Sequence, residues 1–458
     1  MKYPVPCLDR RTSIQEAIRT IERTSFDRAF VVDPGGVYLG CVTISDLRRL
    51  LISGAHGGEP VDGYPLRHGQ KLTARSCEDP KLAERMMSDM ELEGVRYLPV
   101  VDDGGRIADI LSLEDLERRH GPGPAAAGDG PGRRVLVVGG AGYLGSVLTR
   151  KLLGRGFRVR VLDSFLYGRR SLEPLAEAKN LEIVEGDLRH IPTMVAALAD
   201  VDAVVLLAAI VGDPASRIRP IETIETNVLA AQALASAARL QQVGRFLYAS
   251  TCSVYGVGSA LLDEEAPLHP VSLYARSKIE SEKIILGMGG EYFSPTILRM
   301  GTLYGPSPRM RFDLVVNTMS MKSFVDGRIQ VFGGSQWRPL LGVEDAAEVY
   351  ARCLEADIGK VGNQVFNVGS DGQNYRIDEV AGIISGALGG VPIQRDRSNL
   401  DARDYRVSFA KLEQTLGFRP GQTIADAAGA IVSSLRSGAI RNPAQRIYYN
   451  HFFDSTEE

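Results

Sequence analysis

The sequence predicts an α/β protein, a large doubly wound parallel sheet with a small C-terminal domain, preceded by a smaller α/β module. Three observations predict it. The apolar run Arg134–Val138 passes directly into Gly139-Gly140-Ala141-Gly142-Tyr143-Leu144-Gly145 and then an amphipathic helix over 146–154. Apolar strands and helices go on alternating beyond it. The first 118 residues carry one helix–strand–turn–strand pattern twice.

Bulk properties set the frame. The chain has 458 residues, too many for one hydrophobic core, so two or three domains are expected. Hydrophobic residues make up 44% and charged residues 24%, as in ordinary globular proteins. Net charge is -3 with Lys and Arg dispersed, which gives no basic surface for nucleic acid or membranes. No apolar run approaches the ~20 residues of a membrane helix. Met1 to Arg10 holds charges, Pro4 and Pro6 rather than the apolar core of a secretory signal. A cytoplasmic location is the expectation. Cys7, Cys41, Cys77, Cys252 and Cys353 are widely spaced and odd in number, so neither a disulfide framework nor a zinc site is read from them. The six histidines form no metal-binding pattern.

Gly121 to Gly132 reads GPGPAAAGDGPG, a composition that buries too little apolar surface to fold. It divides the chain into residues 1–118, a linker over 119–132, and a domain over 133–452. In the first part, Ile14, Ala17, Ile18 and Ile21 recur at helical spacing over Ser13 to Arg23. The strand Ala29–Val32, a turn at Asp33–Gly36 and the strand Tyr38–Val42 follow, and Thr43 to Leu47 opens a helix. The second half repeats the order. It has a helix over Lys81 to Glu91, a strand Arg96–Val101, a turn Asp102–Gly105, a strand Ile107–Leu111, and a helix opening at Ser112 to Leu116. Thr43 and Ser112 each stand three residues before an acid, Asp46 and Asp115, where a hydroxyl caps free helix amides.

This arrangement resembles a tandem pair of CBS domains. The resemblance implies an adenine nucleotide held by Thr43, Asp46 and Asp115 as a possible regulatory ligand. Asp109 stands in the second repeat where Gly40 stands in the first, and an acid there repels a phosphate. The alternative is that both turns are only helix caps.

The glycine turn has physical reasons. It needs unusual dihedrals, a pyrophosphate must approach the backbone unobstructed, and the helix must pack close to the sheet. The phosphates would meet free amides at the positive end of the helix dipole. Gly139, Gly142 and Gly145 keep one spacing of such turns; Gly140, Gly142 and Gly145 keep another. The next strand, Arg158–Leu162, ends in Asp163, which suits a ribose diol and repels a 2′-phosphate. No Lys or Arg follows immediately, so NAD rather than NADP is expected. Further strands read Leu181–Val184, ending near Asp187-Leu188; Ala203–Leu207, ending at Ala208-Ala209; and Arg245–Ala249, ending at Ser250-Thr251. Ligands of such sheets bind at these carboxyl ends.

Tyr274 and Lys278, four apart, share a helix face. A free phenol titrates near ~10, and a neighbouring ammonium favours the phenolate. Thr251 is placed to orient a substrate oxygen.

With these motifs, residues 133–450 resemble the extended short-chain dehydrogenases, and among them the nucleotide-sugar epimerases and dehydratases. The resemblance implies a dimer acting on a nucleotide sugar, with Thr251, Tyr274 and Lys278 catalytic. It places Gly139, Gly142, Tyr143, Leu144, Gly145, Asp163, Asp187, Leu188, Ala208, Ala209 and Asn227 at NAD, and Arg299, Asn317, Arg338 and Arg403 at the substrate. The family's 4,6-dehydratases carry two acids after the Thr, where this chain has Cys252-Ser253. Relatives that transfer protons through a Cys hold it where Ser253 stands, so Cys252 is read as a packed thiol. Thr302 and Gly342 depart from the usual Asn and His of the family. The implied activity is epimerisation through a 4-keto intermediate, in a setting of polysaccharide biosynthesis. The alternatives are a 4-keto-sugar reductase and a nucleotide sensor without catalysis.

Overall fold

The computed structural model describes residues 6–24, 26, 28–52, 54–61, 64, 66, 72–73, 82, 86, 90, 97–112, 132–290, 292–396 and 403–450. The chain divides into two compact units, Met1–Ala126 and Ala127–Glu458.

In the first unit the strands are β1 (Cys7–Asp9), β2 (Arg28–Val32), β3 (Tyr38–Thr43), β4 (Leu72–Thr73), β5 (Tyr97–Val101) and β6 (Ile107–Ser112). They form two sheets, β1-β2-β3 and β4-β5-β6. Each has a parallel first pair and an antiparallel second pair. The repeat extends to fine detail. Asp33 Oδ1 accepts from Gly35 N and Val37 N, both at 2.8 Å, and Asp102 Oδ1 accepts from Gly104 N and Arg106 N, both at 2.9 Å. Gly36 and Gly105 close these turns at φ +83° and +75°, which a side chain resists. The register shifts at Val31/Val32 and again at Val100/Val101. The two halves meet where Val37 bridges Arg106. The helix Ile14–Glu22 is capped by Ser13 and buries Ile14, Ala17 and Ile21. The helix expected over Lys81 to Glu91 falls largely outside the described residues.

The second unit is built on β7 (Arg134–Val138), β8 (Arg158–Asp163), β9 (Leu181–Glu185), β10 (Ala203–Leu206), β11 (Arg245–Thr251), β12 (Val257–Leu262), β13 (Ser294–Met300), β14 (Thr302–Tyr304), β15 (Ile329–Phe332), β16 (Trp337–Gly342), β17 (Gln364–Val368), β18 (Asn374–Arg376), β19 (Ile393–Asp396) and β20 (Asp404–Val407). Seven strands form one sheet in the order β17-β13-β11-β10-β7-β8-β9, with every pairing parallel. Val135, Val137, Val159 and Val161 face one layer of helices. Leu136, Val138, Leu162, Val204 and Leu206 face the other, and burial on both faces is why the strands read as unbroken apolar runs. Each fully buried Val or Leu side chain contributes roughly 1.5–3 kcal/mol by leaving water. Smaller sheets, β14-β16-β18, β15-β19 and β12-β20, belong to the C-terminal part. It packs around its own core of Tyr304, Val316, Leu340, Ile384 and Ala427.

The strand order steps outward in both directions from the neighbours β7 and β10. That switch point opens a crevice at the carboxyl ends of the strands. Among the described residues, no helix is long and apolar enough to cross a membrane.

Candidate active site

The crevice is a cavity of about 480 Å³. On its floor, Gly139 turns at φ +88°, and a Cβ there would lie 2.7 Å from Ala208 N. A Cβ on Gly145 would lie 2.0 Å from Gly139 O, so only glycine lets helix and strand approach this closely. The helix starts at Tyr143, earlier than the 146 expected, because the end of the glycine turn is already helical. Its cap, Gly142, offers no side chain to the first-turn amides. A glycine floor with uncapped amides fits a dinucleotide's pyrophosphate.

Asp163 closes β8. Its Oδ2 accepts from Ala141 N at 2.9 Å and its Oδ1 from Phe165 N at 2.8 Å. Burial raises its carboxyl above the usual range, while these backbone donors pull the other way. Asp187 is held by the Arg189 guanidinium, Nη2–Oδ2 2.7 Å, and that hydrogen bonding keeps its carboxyl below the usual range. Gly139, Gly142, Tyr143, Leu144, Gly145, Asp163, Asp187, Leu188, Ala208 and Ala209 all line the cavity.

Asn227 does not. It sits in a π-helical turn, Glu225–Ala230, and is fully buried. Its Oδ1 accepts from Ile210 N at 2.8 Å; its Nδ2 donates to Ile210 O at 3.0 Å and Ser277 Oγ at 3.1 Å. The structure places Asn227 behind the cavity and off its lining. The amide is spent tying the segment after β10 to the helix of Tyr274.

That helix, Leu273–Gly287, begins with Ser272 Oγ accepting from Ala275 N at 3.2 Å. Tyr274 and Lys278 are both buried and both line the cavity, as does Thr251 at the end of β11. Lys278 Nζ donates to Ala249 O at 2.8 Å, and lies 4.8 Å from the Tyr248 ring centroid and 5.9 Å from that of Tyr274. Burial pushes the Tyr274 phenol up to about 12, against the pull of the Arg311 charge and the Thr251 hydroxyl. Burial also pushes the Lys278 ammonium down to about 7, against the nearby Glu282. The expected lowering of the phenol by Lys278 is therefore corrected. Desolvation governs both groups, and the ammonium is directed to a backbone carbonyl.

Three of the four expected substrate residues stand behind the wall. Arg299 is buried against Glu282, Nη2–Oε2 2.8 Å, and donates from Nη1 to Tyr255 Oη at 2.9 Å and Glu264 O at 3.2 Å. Asn317 accepts from Gly305 N at 2.9 Å and donates to Tyr143 Oη at 3.1 Å and Arg311 O at 2.9 Å. Arg338 donates from Nη1 to Trp337 O at 2.6 Å and to Arg403 O at 2.5 Å, holding the ends of β16 and β20 together. None of the three lines the cavity; Asn317 and Arg338 brace backbone that does, at Arg311 and Arg403, and Arg299 is tied to Glu282, Tyr255 and Glu264. Arg403 does line it, with Nη1 3.5 Å from Asp213 Oδ2. Cys252 is a packed thiol as expected: it is buried, and its Sγ donates to Arg299 O at 3.2 Å.

The sequence reading missed Arg309 and Arg311, both of which line the cavity. Their signal was two arginines interleaved with apolar residues in Arg309-Met310-Arg311-Phe312: all four are buried, Met310 and Phe312 in the core and both arginines on the cavity.

In the first unit, Thr43 Oγ1 donates to Asp46 Oδ2 at 2.7 Å and accepts from Asp46 N at 3.1 Å, so the pair is a helix cap. Asp115 lies outside the described residues.

A parallel sheet with a glycine turn, an acid-ended second strand and a Tyr–Lys helix converging on one crevice defines the class of nucleotide-binding α/β proteins. The pattern of the NAD dependent epimerase/dehydratase family matches residues 135–369, and that of the CBS domain matches residues 1–53 and 81–119. The chain belongs to the NAD dependent epimerase/dehydratase family, with CBS domain sequence at its N-terminal end. It is 28% identical to a dTDP-glucose 4,6-dehydratase of Streptomyces niveus, over 64% of this chain and 90% of the relative. It is also 28% identical to a UDP-glucose 4-epimerase of Corynebacterium glutamicum, over 68% and 100%. Among solved structures, DesIV, a dTDP-glucose 4,6-dehydratase from Streptomyces venezuelae with NAD and TYD bound, matches at TM-score 0.60 and 28% identity, over 66% of this chain and 97% of that one. MoeE5 in complex with UDP-glucuronic acid and NAD matches at TM-score 0.59 and 26% identity, over 67% and 99%.

Proposed function

We propose that the chain is an NAD-dependent epimerase of a nucleotide sugar, acting through a 4-keto intermediate. The observation that carries this reading is the make-up of the cavity around Thr251. Its walls there are Thr251, Ser253, Met300, Gly301 and Thr302, while the lining acids, Asp163, Asp187 and Glu222, belong to the segments around β8 and β9 and to the helix after Arg219. Elimination of water needs an acid and a base beside the sugar; a wall of hydroxyls and apolar groups favours simple proton transfer.

The floor Gly139–Gly145, Asp163, Asp187, Leu188, Ala208 and Ala209 would hold the dinucleotide. NAD, when bound, takes a hydride from the sugar carbon and returns it. Its positive ring also favours the phenolate of Tyr274, offsetting the burial that raises the phenol. Tyr274 Oη removes the proton of the sugar hydroxyl. Thr251 orients the oxygen, Lys278 holds the strand end at Ala249, and Arg403 meets the diphosphate. Turning the keto sugar over before the hydride returns, so that it reaches the other face of the carbon while the proton goes back to the oxygen, would give the epimer.

A panel of UDP- and dTDP-sugars followed by sugar-ring NMR tests this reading. Interconversion at one carbon with no net change in NADH absorbance is expected. Stoichiometric NADH consumption, or a 4-keto-6-deoxy product, would overturn it.

Two further parts of the reading concern assembly and control. Ile218, Ile221 and Leu229 are 54%, 73% and 56% exposed on the helices over 213–230, an apolar face suited to a second copy. A homodimer by light scattering, reduced to monomer by Ile221→Asp, is expected; a monomeric parent protein would count against it. The Thr43–Asp46 turn suits an adenine nucleotide, expected to change the rate of the full chain at millimolar concentration. An unchanged rate together with no calorimetric binding would remove this input.

A further inference from the structure

Five arginines line the cavity, and four of them face a carboxylate: Arg189–Asp187 at 2.7 Å, Arg219–Glu222 at 2.9 Å, Arg311–Asp313 at 2.7 Å and Arg403–Asp213 at 3.5 Å. Arg309 is the exception: among the described residues, no carboxylate lies within ion-pair distance of it. It is 5% exposed. Its Nη2 donates to Asn450 Oδ1 at 2.8 Å, its guanidinium lies 3.7 Å from the Tyr167 ring centroid, and its Nε is buried with no hydrogen-bond partner. A buried cation without a counter-charge is costly, and a second guanidinium nearby makes it costlier. Both burial and the Arg311 charge press on Arg309, pushing its pKa down to about 10. Asp313 pairs with Arg311, and Asp163 acts on Arg309 only from beyond ion-pair distance, so the Arg309 guanidinium has no carboxylate in direct contact among the described residues.

The position of that charge is fixed by the backbone. Tyr143 Oη donates to Gly305 O at 2.6 Å, and Ser307 Oγ donates to Tyr143 O at 2.7 Å. These bonds pin the segment carrying Arg309 onto the first turn of the helix that follows the glycine floor. Asp163 and Tyr143 both lie within its electrostatic reach.

We propose that Arg309 binds phosphate oxygens in the cavity, closing over a pyrophosphate seated on the Gly139–Gly145 turn. The glycine floor meets such an anion from below through amides; Arg309 meets it from the opposite wall through a planar fork. A dinucleotide and a nucleotide sugar both carry a diphosphate, and the anchoring of its segment on Tyr143 through Gly305 and Ser307 assigns Arg309 to the dinucleotide. The inference rests on the NAD-binding reading above.

Calorimetric titration of the full chain with NAD and, separately, with UDP tests it, using the parent protein, Arg309→Gln and Arg309→Lys. Arg309→Gln is expected to weaken NAD binding about 10- to 100-fold and leave UDP binding unchanged, with Arg309→Lys between. Weakened UDP binding with unchanged NAD binding would overturn the assignment to the dinucleotide. Parent-like affinity for both, in a variant folded by circular dichroism, would overturn the proposal altogether. If Arg309→Gln does not fold, Arg309→Lys decides: unchanged NAD affinity in it counts against the proposal, and a clear loss supports it. A parent protein that binds no NAD would instead defeat the functional reading on which the proposal stands.

Discussion

Glu282 and Arg299 form a fully buried, doubly hydrogen-bonded ion pair between β13 and the helix of Tyr274, with Nε 3.2 Å from each oxygen and Nη2 2.8 Å from Oε2. Ser250 also donates to Glu282, so the pair reaches the residue beside Thr251. Removing one partner strands the other charge in a dry interior. Arg299→Met is expected to lose about 3–5 kcal/mol of unfolding free energy by denaturant titration. Arg299→Met with Glu282→Met should recover a substantial part. A single variant within experimental error of the parent would show that the pair is not the fastener it appears in the geometry.

Tyr274→Phe removes the phenol oxygen of the proposed reacting centre and adds no volume. A loss of about 10²–10⁴-fold in kcat with NAD binding intact is expected. Stopped turnover together with lost cofactor would point to a structural role instead.

The buried Lys278 makes stability depend on pH in a definite direction. Its folded value, about 7, lies below the ordinary 10.5 of the unfolded chain. Between those values the unfolded state binds more protons, so stability from this group is full above the unfolded value and is lost as pH falls through about 7. Lys278→Met should therefore be more stable than the parent near pH 6, and the gap should narrow by pH 10. Tyr274 acts at the other end. Its raised value, about 12 against 10, gives stability that is complete below pH 10 and lost as pH climbs through 12. Thermal melts of the two proteins at several pH values check both signs; a gap that widens with pH would refute the assignment for Lys278.

Gly145→Ala places a carbon 2.0 Å from Gly139 O. Backbone must shift on the floor of the cavity, and NAD affinity should fall by an order of magnitude or more. Gly154→Ala, at the end of the same helix with open space around its Cβ, should leave it unchanged. Equal behaviour of the two variants in an NAD titration would reject the steric argument.

The doubly wound sheet was legible because its strands announce themselves chemically. Arg134–Val138 is an apolar run of strand length, and Gly139 to Gly145 has few other uses. That Tyr274 and Lys278 reach one cavity from one helix was legible for the same reason: four-residue spacing survives folding unchanged. What the sequence could not place were the residues whose role depends on what lies across from them. Arg299, Asn317, Arg338 and Asn227 have side chains equally able to hold a ligand or a backbone, and only the positions of Glu282, Tyr143, Arg403 and Ile210 decide between the two. The opposite error hid Arg309, which no motif flagged. Its significance comes from an absent partner, and a missing counter-charge is a property of three dimensions alone.

The matching turns at Asp33 and Asp102, with the same register shift on the same side of each, read as a copying event preserved in the chain. A duplicated half that keeps its hairpin also keeps an unpaired rim. Here the rim of one copy is answered by the other through Val37 and Arg106. Deleting either copy would break that bridge and leave this point of the twin's hairpin open to other backbone.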